Sequence, residues 1–388
     1  MSLLQKFNIK PFFNNRLKGD AIIWSIVIVL ALISLIAIYS STGSLAYRMK
    51  DGHAEVYLLK RLFIVAIGLL IMFVAHNVNY TLYKKYAFVA LMVGITLLLY
   101  TIIDGGVNLN NASRWIAVPI VNVTFQASDF AKLALFVFLA AQLSKLQSVQ
   151  GDFKQIVLRI FLPVGIVCLL IARDNMSTAL LIGVSCGIMF FIGRIQWKYI
   201  FGLVGVLVLV IGLAVMFSPR ATTWKNRLTT FSGGANTEVS YQTMQSKIAI
   251  AKGGLLGKGP GNSTQRNFLP HSYSDFIYSI IIEEYGLIIG GMGMIFLYML
   301  FLWRSIIIFR KCPYAFGSFL AVGLSFSLVL QAFVNMGVNV NLLPVTGLTL
   351  PLVSKGGSSV WFTCLTIGVI LSVSKFVEEN YKDKKLTN

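Results

Sequence analysis

The sequence predicts an all-α polytopic integral membrane protein with about ten transmembrane helices and one large extracytoplasmic loop between helices 7 and 8. Of the 388 residues, 56% are hydrophobic and only 12% are charged, and long apolar runs recur along the chain. An average soluble domain carries about 25% charged residues, and a helix needs about 20 apolar residues to cross the hydrocarbon core of a bilayer. We therefore expect one membrane domain rather than a soluble fold.

The apolar runs place the predicted spans in order along the chain. A basic N-tail precedes the first run, and this run has the length of a spanning helix. We therefore expect it to stay in the protein rather than be removed as a signal peptide. The ten predicted spans cover residues 21–40, 62–79, 86–103, 130–146, 155–172, 176–193, 199–217, 276–302, 314–338 and 359–377.

The distribution of Lys and Arg sets the predicted orientation. The net charge is +19, and the short cytoplasmic loops of membrane proteins collect basic residues, whereas long loops escape this rule. With the N-terminus inside, more than half of the 33 Lys and Arg residues fall on cytoplasmic segments. We expect a cytoplasmic N-tail (1–20), a membrane domain (21–377) that includes a large outer loop (218–274), and a cytoplasmic C-tail (378–388).

Two classes of site are not expected from the composition. In a soluble protein the net charge would suggest nucleic acid, but here the basic residues follow the membrane topology and no basic patch with interleaved aromatic residues is evident. The four cysteines and three histidines are scattered without metal-ligand spacing. We therefore expect no nucleic-acid partner, no zinc site and no disulfide framework.

The large outer loop is predicted to contain a helix. The stretch YQTMQSKIAIAKGGLLGKG has the spacing of an amphipathic helix that ends at the glycine pair 253–254. A disordered tether is the alternative, but the spacing favours a helix that lies on the outer membrane surface. The apolar positions assigned to its buried face are Met244, Ile248, Ile250 and Leu255.

Three carboxylates mark the entrance to the eighth predicted span, in NFLPHSYSDFIYSIIIEEYG. Asp275 closes the large loop, and its simplest role is to stabilise the positive end of the helix dipole. Glu283 and Glu284 follow two turns later. Charges inside a bilayer are costly, so we expect both to face a polar cavity or a basic partner. Small residues let helices pack closely, so the glycines over 286–293 predict a helix interior to the bundle.

Two further pairs of charged residues lie near the predicted outer face. Asp129 and Lys132 are three residues apart, on one face of a helix, and can pair. They either neutralise each other, or Lys132 and Arg114 together receive an anionic head group. Arg173 and Asp174 form another outward pair between spans five and six.

The segment LLPVTGLTLPLVSKGGSS, residues 342–359, is predicted to form a rigid loop because it contains two prolines and three glycines. Its last residues lead into the tenth span. Backbone amides at such a helix start suit a phosphate, which makes Ser358 and its neighbours candidate ligands. The alternative to a phosphate site is that Gly-Gly-Ser-Ser, residues 356–359, forms an ordinary flexible turn.

These segments together resemble the SEDS family, the shape, elongation, division and sporulation proteins that polymerise bacterial peptidoglycan. The resemblance covers nearly the whole chain, and it is closer to the division branch than to the elongation branch. It implies glycosyltransfer on lipid II at the outer face of the inner membrane. The matching motifs are NNASRWI, QASDFAKLA, DNMSTALLI, GGLLGKGPGNSTQRNFLPHSYSDFIYSIIIEEYG, QAFVNMGVN and GLTLPLVSKGGSS, in the family's order.

The resemblance also implies residue roles. Asp275 matches the family's essential aspartate and would act as general base on the acceptor hydroxyl. Asp129, Lys132 and Arg114 match the family's charged outer positions, and the two basic residues would stabilise the departing pyrophosphate. Lys355 is a weaker candidate for that role. No cofactor is expected, although Asp275 and pyrophosphate together could share a divalent cation, Mg²⁺ or Mn²⁺. Glu283 and Glu284 would line a polar cavity beneath Asp275.

The family's partners are undecaprenyl-pyrophosphate-linked substrates, a class B penicillin-binding protein, which is a single-span transpeptidase, and other division membrane proteins. For the transpeptidase we expect a docking surface on spans eight and nine, where Phe316–Leu330 carries small residues. The alternative is that these small residues only pack span nine within the bundle. The alternative functions are a lipid II flippase and the elongation polymerase of the same family. A long outer loop that ends at an acidic residue fits an enzyme better than a flippase, which needs matching access from both faces.

The chain departs from the family pattern at several positions. His271 stands where relatives often have Glu, so a mechanism that needs a second carboxylate there does not apply. Lys355 stands where Tyr is usual and adds an outward positive charge. Ala127 and Asp129 replace Pro and Glu, and DNMST replaces a DLGT-like stretch at Asp174.

Overall fold

The structure is a computed structural model that describes residues 18–49, 54–103, 107–109, 112–118, 123–147, 153–202, 221–231, 237–270 and 272–386, with residues 204, 205, 208 and 212 between them. The helices are α1 (Ala21–Met49), α2 (Ala54–Asn77), α3 (Tyr80–Ile103), α4 (Ala127–Leu146), α5 (Phe153–Ile156), α6 (Leu162–Ala172), α7 (Met176–Ile192), α8 (Ala221–Phe231), α9 (Thr237–Gly253), α10 (Ile277–Tyr285), α11 (Gly293–Lys311), α12 (Ala315–Asn339) and α13 (Gly357–Leu386). Two π-helical segments, Val157–Phe161 and Gly286–Met292, lead into α6 and α11.

The helical membrane architecture that the sequence predicts is confirmed. Within the described residues, eight helical runs are long and apolar enough to cross a membrane, and α7 is a shorter apolar helix of 17 residues. These nine elements correspond to nine of the ten predicted spans. The seventh, residues 199–217, lies largely outside the described residues, so the count of ten stays a prediction.

A small sheet, which the sequence reasoning missed, joins α3 to α4. Its strands are β1 (Val107–Leu109), β2 (Ala112–Val118) and β3 (Val123–Gln126), antiparallel in the order β1-β2-β3. The sequence around β2 and β3 is rich in β-branched and aromatic residues, which favour strands. Because β3 runs directly into α4, the sheet fixes where the first turn of α4 begins.

Residues near the two chain ends meet at one end of the bundle, called here the terminal end. The Asp20 backbone N–H donates to the Ser374 hydroxyl at 2.9 Å, and the Arg304 Nε donates to the Asp20 carboxylate at 2.8 Å. The Lys18 ammonium pairs with Glu379 at 2.9 Å, and this hydrogen bond and its charge raise the pKa of Lys18. These contacts tie the start of α1 to α11 and α13.

Helices α4, α12 and α13 form the centre of the bundle, since most of their positions are buried, whereas α2 and α3 are mostly exposed. One sequence expectation is wrong as a result. The predicted docking segment Phe316–Leu330 belongs to α12 and is buried almost throughout. Its small residues therefore pack α12 inside the bundle and leave no surface there for a partner helix.

The eighth predicted span is present, but it is not one straight helix. The Tyr278 hydroxyl donates to the Gly291 carbonyl at 3.1 Å, although a straight helix would separate these residues by about 20 Å. The chain turns back at Gly286, where φ is +76°, and α10 runs antiparallel to the segment that follows it. The predicted continuous helix over 276–302 is therefore wrong, and the span proper begins after this turn.

The two halves of this hairpin differ in burial. Residues 277–284 of α10 are all buried, as expected for a helix interior to the bundle. The second half is peripheral, because a stripe of apolar side chains is 48–67% exposed on it. The stripe consists of Ile289, Met292, Phe296, Met299 and Trp303.

The direction of α10 follows from its contacts with α12. Asn335 contacts the Asp275 carbonyl, and Asn339, one turn further along α12, contacts the backbone N–H of Ser279. The two helices are therefore parallel. Because α12 starts beside Val373 at the terminal end, α10 runs away from that end. Glu283 and the residue after it thus lie farther from the terminal end than Asp275.

The predicted loop helix is confirmed as α9, which ends at Gly253. Its buried face differs from the prediction, because Met244 and Leu255 are 60% and 63% exposed. The buried residues are small: Ser246 and Ala249 are buried, and a Cβ on Gly253 would lie 2.2 Å from the Ile282 carbonyl oxygen. This face of α9 is buried because its backbone packs closely against α10, and it carries small residues instead of large apolar ones.

Candidate functional site

The centre of the site is the loop between α12 and α13, residues 342–356, called here the central loop. Its two prolines prevent a regular helix, so its carbonyl groups need partners from elsewhere. Side chains from all around the bundle donate to these carbonyls over distances of 2.6–3.3 Å. The donors are Ser34, Arg61, Ser177, Arg227, Tyr298, Gln331 and Asn335.

The bonded carbonyls belong to residues 345–353, so this hydrogen bonding agrees with the predicted rigid loop, whereas the phosphate site at residues 356–359 stays a prediction. A flexible turn would leave its carbonyls to solvent, whereas here seven side chains hold them. Gly347, with φ +71°, and Leu352, with φ +64°, adopt the left-handed backbone region. Leu352 has a Cβ, so its conformation costs free energy. The central loop is therefore a fixed element.

Asp275 lies against the central loop, just before α10. Its side chain is half-buried, and its Oδ2 lies 3.7 Å from the position that a Cβ would occupy on Gly347. The preceding residues also join the loop: the Ser354 hydroxyl donates to the Ser274 carbonyl at 2.6 Å, and the Lys355 N–H donates to the Tyr273 carbonyl at 2.8 Å. Two hydrogen bonds thus tie the backbone just before Asp275 to the central loop.

Lys132 connects α4 to the same loop. Its ammonium donates to the Gln331 Oε1 at 2.9 Å, and the amide of Gln331 donates to the Thr349 carbonyl at 3.0 Å. The predicted pairing with Asp129 is present but long, at 4.0 Å, and both side chains are more than 85% buried. The closer partner of Lys132 is therefore the neutral Gln331, while Asp129 lies at the outer limit of an ion pair.

Lys355 lies beside Asp275's own segment. Its ammonium sits 4.4 Å from the centre of the Tyr273 ring, a cation–π distance. Partial burial lowers the pKa of Lys355, and repulsion from Lys60 and Arg61 lowers it further. A cluster of positive groups therefore lies on this side of the central loop.

Ser358 is fully buried in the first turn of α13. Its hydroxyl accepts a hydrogen bond from the Gln126 backbone N–H at 3.2 Å, which joins the end of β3 to the start of α13. A direct contact of Ser358 with a phosphate would require breaking this bond. Arg114 lies in β2, but its side chain falls outside the described residues, and so does His271.

Arg173 and Asp174 lie in the turn between α6 and α7. Asp174 lines a small cavity of about 20 Å³ together with Ser128 and Thr101. This cavity lies at the start of α4, one residue before Asp129. The structure therefore places the predicted outward pair next to the Asp129 turn rather than next to Asp275.

Glu283 and Glu284 do not line a cavity beneath Asp275, which corrects the sequence prediction. They lie at the other end of α10, fully buried. Glu283 accepts hydrogen bonds from the Ser263 hydroxyl at 2.5 Å and the Thr264 N–H at 3.1 Å, and it pairs with Lys258 at 2.8 Å. The Glu284 carboxylate accepts from Ser40 of α1. Glu283 therefore holds the glycine-rich loop (residues 254–265) against the turn of the hairpin, and Glu284 ties the same turn to α1.

Arg61 is the residue of the candidate site that sequence reasoning missed most clearly. It is 2% exposed, donates to Ser34 and to the carbonyls of Leu352 and Val353, and forms no ion pair among the described residues. A charge inside an apolar run is a recognised signal of function. The run from Leu58 to Asn77 contains two such basic residues, so this signal was present in the sequence.

A protein-only metal site does not form from the described residues, since none of them make a group of three or more His, Cys, Asp or Glu side chains. Asp275 alone contributes one carboxylate to the site. That donor set does not fit a divalent cation without oxygens from a substrate, and no step below relies on one.

Residues 20–379 match the model of a family described as cell cycle proteins and named after FtsW, RodA and SpoVE. The chain is 34% identical over 371 residues to stage V sporulation protein E of Bacillus subtilis (strain 168), covering 92% of this chain and 97% of that protein. It is also 34% identical over 366 residues to the "Probable peptidoglycan glycosyltransferase FtsW" of Geobacter sp. (strain M18), covering 92% and 98%.

The fold has a counterpart among solved structures. One chain of a peptidoglycan synthase complex, which coordinates polymerization and crosslinking, superposes with a TM-score of 0.72 at 23% identity, covering 92% of this chain and 98% of that chain. At this identity the likeness concerns the fold alone.

Proposed function

Because the chain belongs to the FtsW, RodA and SpoVE family of cell cycle proteins, the SEDS family, we propose that it is a peptidoglycan glycosyltransferase that polymerises lipid II for septal wall synthesis. The observation that carries the proposal is the convergence of a half-buried carboxylate, Asp275, and a weakly paired cation, Lys132, on one fixed loop. A glycosyltransferase with a pyrophosphate leaving group needs both groups.

Asp275 serves as the general base. The donor sugar is α-linked to pyrophosphate and the product is β-linked, so a single inverting displacement at C1 suffices. The acceptor 4-hydroxyl must lose its proton as it attacks, and a carboxylate within hydrogen-bond reach accepts it. Partial exposure lets a sugar hydroxyl reach the Asp275 side chain, while the central loop fixes its position.

Lys132 and Lys355 serve the leaving group. Negative charge builds up on the pyrophosphate as the glycosidic bond breaks, and positive charge in a partly buried site stabilises it strongly. Lys132 lies on the α4 side of the central loop and Lys355 on the α13 side. Arg114 remains a proposed third member, from the sheet that leads into α4.

The protein is a multi-pass membrane protein. We place it in the bacterial inner membrane with both termini cytoplasmic and the site on the outer face. The contacts of Asp20 with Ser374 and Arg304 support this topology, because they bring the start of α1 and the later part of α13 to the same end of the bundle. The end of α12 that contacts Asp275 lies away from the terminal end.

We also propose a class B penicillin-binding protein as partner, with other division membrane proteins. A related fold occurs in a complex that coordinates polymerization and crosslinking. The docking surface was predicted on spans eight and nine. Among the described residues of these spans, the exposed part is the half of span eight that follows the turn at Gly286. Its apolar stripe from Ile289 to Trp303 is the surface that a single transmembrane helix would contact.

The test is polymerisation of labelled lipid II by the purified protein, with and without the transpeptidase. Asp275→Asn is nearly isosteric and keeps the backbone contacts, so it should lower the rate by about 10²–10⁴-fold while the protein still folds. Asp20→Asn, a matched change at the terminal end, should leave the rate per folded molecule unchanged. Equal rates for Asp275→Asn and wild type would refute the base. Transport of lipid II across vesicles without any polymer would instead favour the flippase.

A further inference from the structure

Three carboxamide side chains form a ladder along one face of α12. Gln331, Asn335 and Asn339 are spaced by four residues, so they lie above one another on the helix surface. All three are at least 93% buried. They belong to the motif QAFVNMGVN, to which neither the base nor the cations of the site belong. Buried amides on a membrane helix are costly unless they are hydrogen-bonded, so their partners show what they hold.

Asn335 and Asn339 hold the backbone of Asp275, the proposed base. The Nδ2 atoms of Asn335 and Asn339 both donate to the Asp275 carbonyl oxygen at 2.9 Å. Asn339 also accepts from the Ser279 N–H at 3.1 Å and from its hydroxyl at 2.6 Å, which fixes the first turn of α10. Asp275 lies just outside that helix, so its carbonyl has two fixed donors and little freedom to move.

The same ladder also holds the other side of the site. Asn335 donates to the Leu348 carbonyl at 2.7 Å, and Gln331 donates to the Thr349 carbonyl at 3.0 Å. On its other atom, Gln331 accepts the ammonium of Lys132 at 2.9 Å. One helix face therefore contacts the segment that carries the base, the central loop and the cation on α4.

A buried polar side chain with no role beyond its own helix can satisfy its hydrogen bonds locally, on the backbone of that helix. Among the described residues, the only ladder group that donates back to α12 is the Asn339 Nδ2, to the Asn335 carbonyl at 2.9 Å and to the Asn335 Oδ1 at 3.4 Å. The remaining contacts reach four separate segments, and three of these carry the proposed site residues Asp275, Lys132 and Lys355. The three side chains therefore connect other segments of the site to α12, rather than satisfying only their own hydrogen bonds.

We propose that Gln331, Asn335 and Asn339 are positioning residues that set the distance and orientation between the base Asp275 and the cation Lys132, an inference that rests on the proposed glycosyltransferase function. The two asparagines act on the base, so their loss affects the chemical step. Gln331 acts on the cation and the central loop, so its loss affects the hold on the pyrophosphate-linked substrate.

The experiment measures kcat and KM for lipid II in purified variants, each normalised to the folded fraction by size-exclusion chromatography and thermal unfolding. Asn335→Ala and Asn339→Ala should lower kcat by about 10²-fold, the effect expected of a displacement of about 1 Å, with little change in KM. Gln331→Met should raise KM by about tenfold, because a hydrogen bond to a charged group is lost.

Ser327→Ala is the matched control. Ser327 lies one turn before Gln331 on the same helix face and is 3% exposed, and its hydroxyl has no hydrogen-bond partner among the described residues. It should leave both kinetic constants unchanged. A purely structural role of the ladder predicts that kcat and KM per folded molecule stay at wild-type values in all variants, and that result would overturn the inference.

The two proposals fail in different ways. If wild-type protein forms no polymer under any condition, the glycosyltransferase function fails and with it the basis of the ladder. If wild type polymerises and Asp275→Asn does not, but the ladder variants match Ser327→Ala, only the positioning role is overturned. A kcat defect in the asparagine variants together with a KM defect in Gln331→Met supports it.

Discussion

Gly257 gives the sharpest test of how the glycine-rich loop is held on the α10 hairpin. Its φ is +83°, and a Cβ added there would lie 2.3 Å from the Glu284 carbonyl oxygen and 2.5 Å from the Gly286 nitrogen. Gly254 offers a matched position three residues earlier. Its φ is +55°, but nothing lies within 4 Å of an added Cβ. Alanine at both positions strains the backbone, whereas only alanine at Gly257 also collides.

The expected difference follows from these contacts. The left-handed conformation costs alanine about 1 kcal/mol at either position. At Gly257 the two backbones must also separate by about 1 Å to reach ordinary contact. This overpacking costs about 1–3 kcal/mol. It also weakens the bonds from the N–H groups of Lys258 and Gly259 to the carbonyls of Glu283 and Glu284, now 3.0 and 2.9 Å. Each such bond contributes about 1 kcal/mol. Gly257→Ala should therefore destabilise the loop by about 2–4 kcal/mol more than Gly254→Ala.

Hydrogen exchange is the suitable assay because the loop can open without global unfolding. Peptides that cover residues 254–265 should exchange more than tenfold faster in Gly257→Ala than in Gly254→Ala, with peptides from α4 unchanged in both. Equal protection of the loop in the two variants would refute the steric argument and show that this contact does not hold it.

Two further predictions concern the charged residues. Glu283→Gln removes the ion pair with Lys258 and one acceptor for Ser263; it should destabilise the same loop by about 2–3 kcal/mol. Glu284→Gln should cost less, because Glu284, unlike Glu283, forms no ion pair within the part of the chain that the structure describes, and equal costs would contradict this. The folded state lowers the pKa of Lys355 below 10.5, so the unfolded chain holds more protons between the two pKa values and stability rises with pH in that window. Lys355→Met should therefore be more thermostable than wild type at neutral pH, with the advantage shrinking toward pH 10; a constant difference across that range would argue against the shift.

The two acids at the hairpin turn show how far sequence reasoning reaches. That Glu283 and Glu284 are engaged rather than exposed to lipid follows from the cost of charge in a bilayer, and both are buried and bonded. Their place relative to Asp275 did not follow. Helical periodicity cannot distinguish a continuous apolar helix from one that reverses at Gly286. Glycine is found both inside closely packed membrane helices and at turns, so its presence does not decide between them.

The central loop shows the same limit in another form. The prolines and glycines of residues 342–356 predict a non-helical loop with fixed geometry, and the loop is held by side chains of distant residues. Arg61, Ser177, Arg227 and Gln331 are scattered over 270 positions of sequence. No spacing rule connects them, since only the packing of the helices brings them to the same carbonyls.

The sequence by itself determined the membrane architecture, the family and the identity of Asp275 and Lys132 as candidate site residues. Run length and composition fix which segments enter a bilayer, because that choice depends on local transfer free energy alone. The tertiary structure decided that α10 reverses, that Phe316–Leu330 is buried, and that Gln331 rather than Asp129 is the close partner of Lys132. Each of these depends on contacts between residues far apart in the chain, which form only when the helices pack.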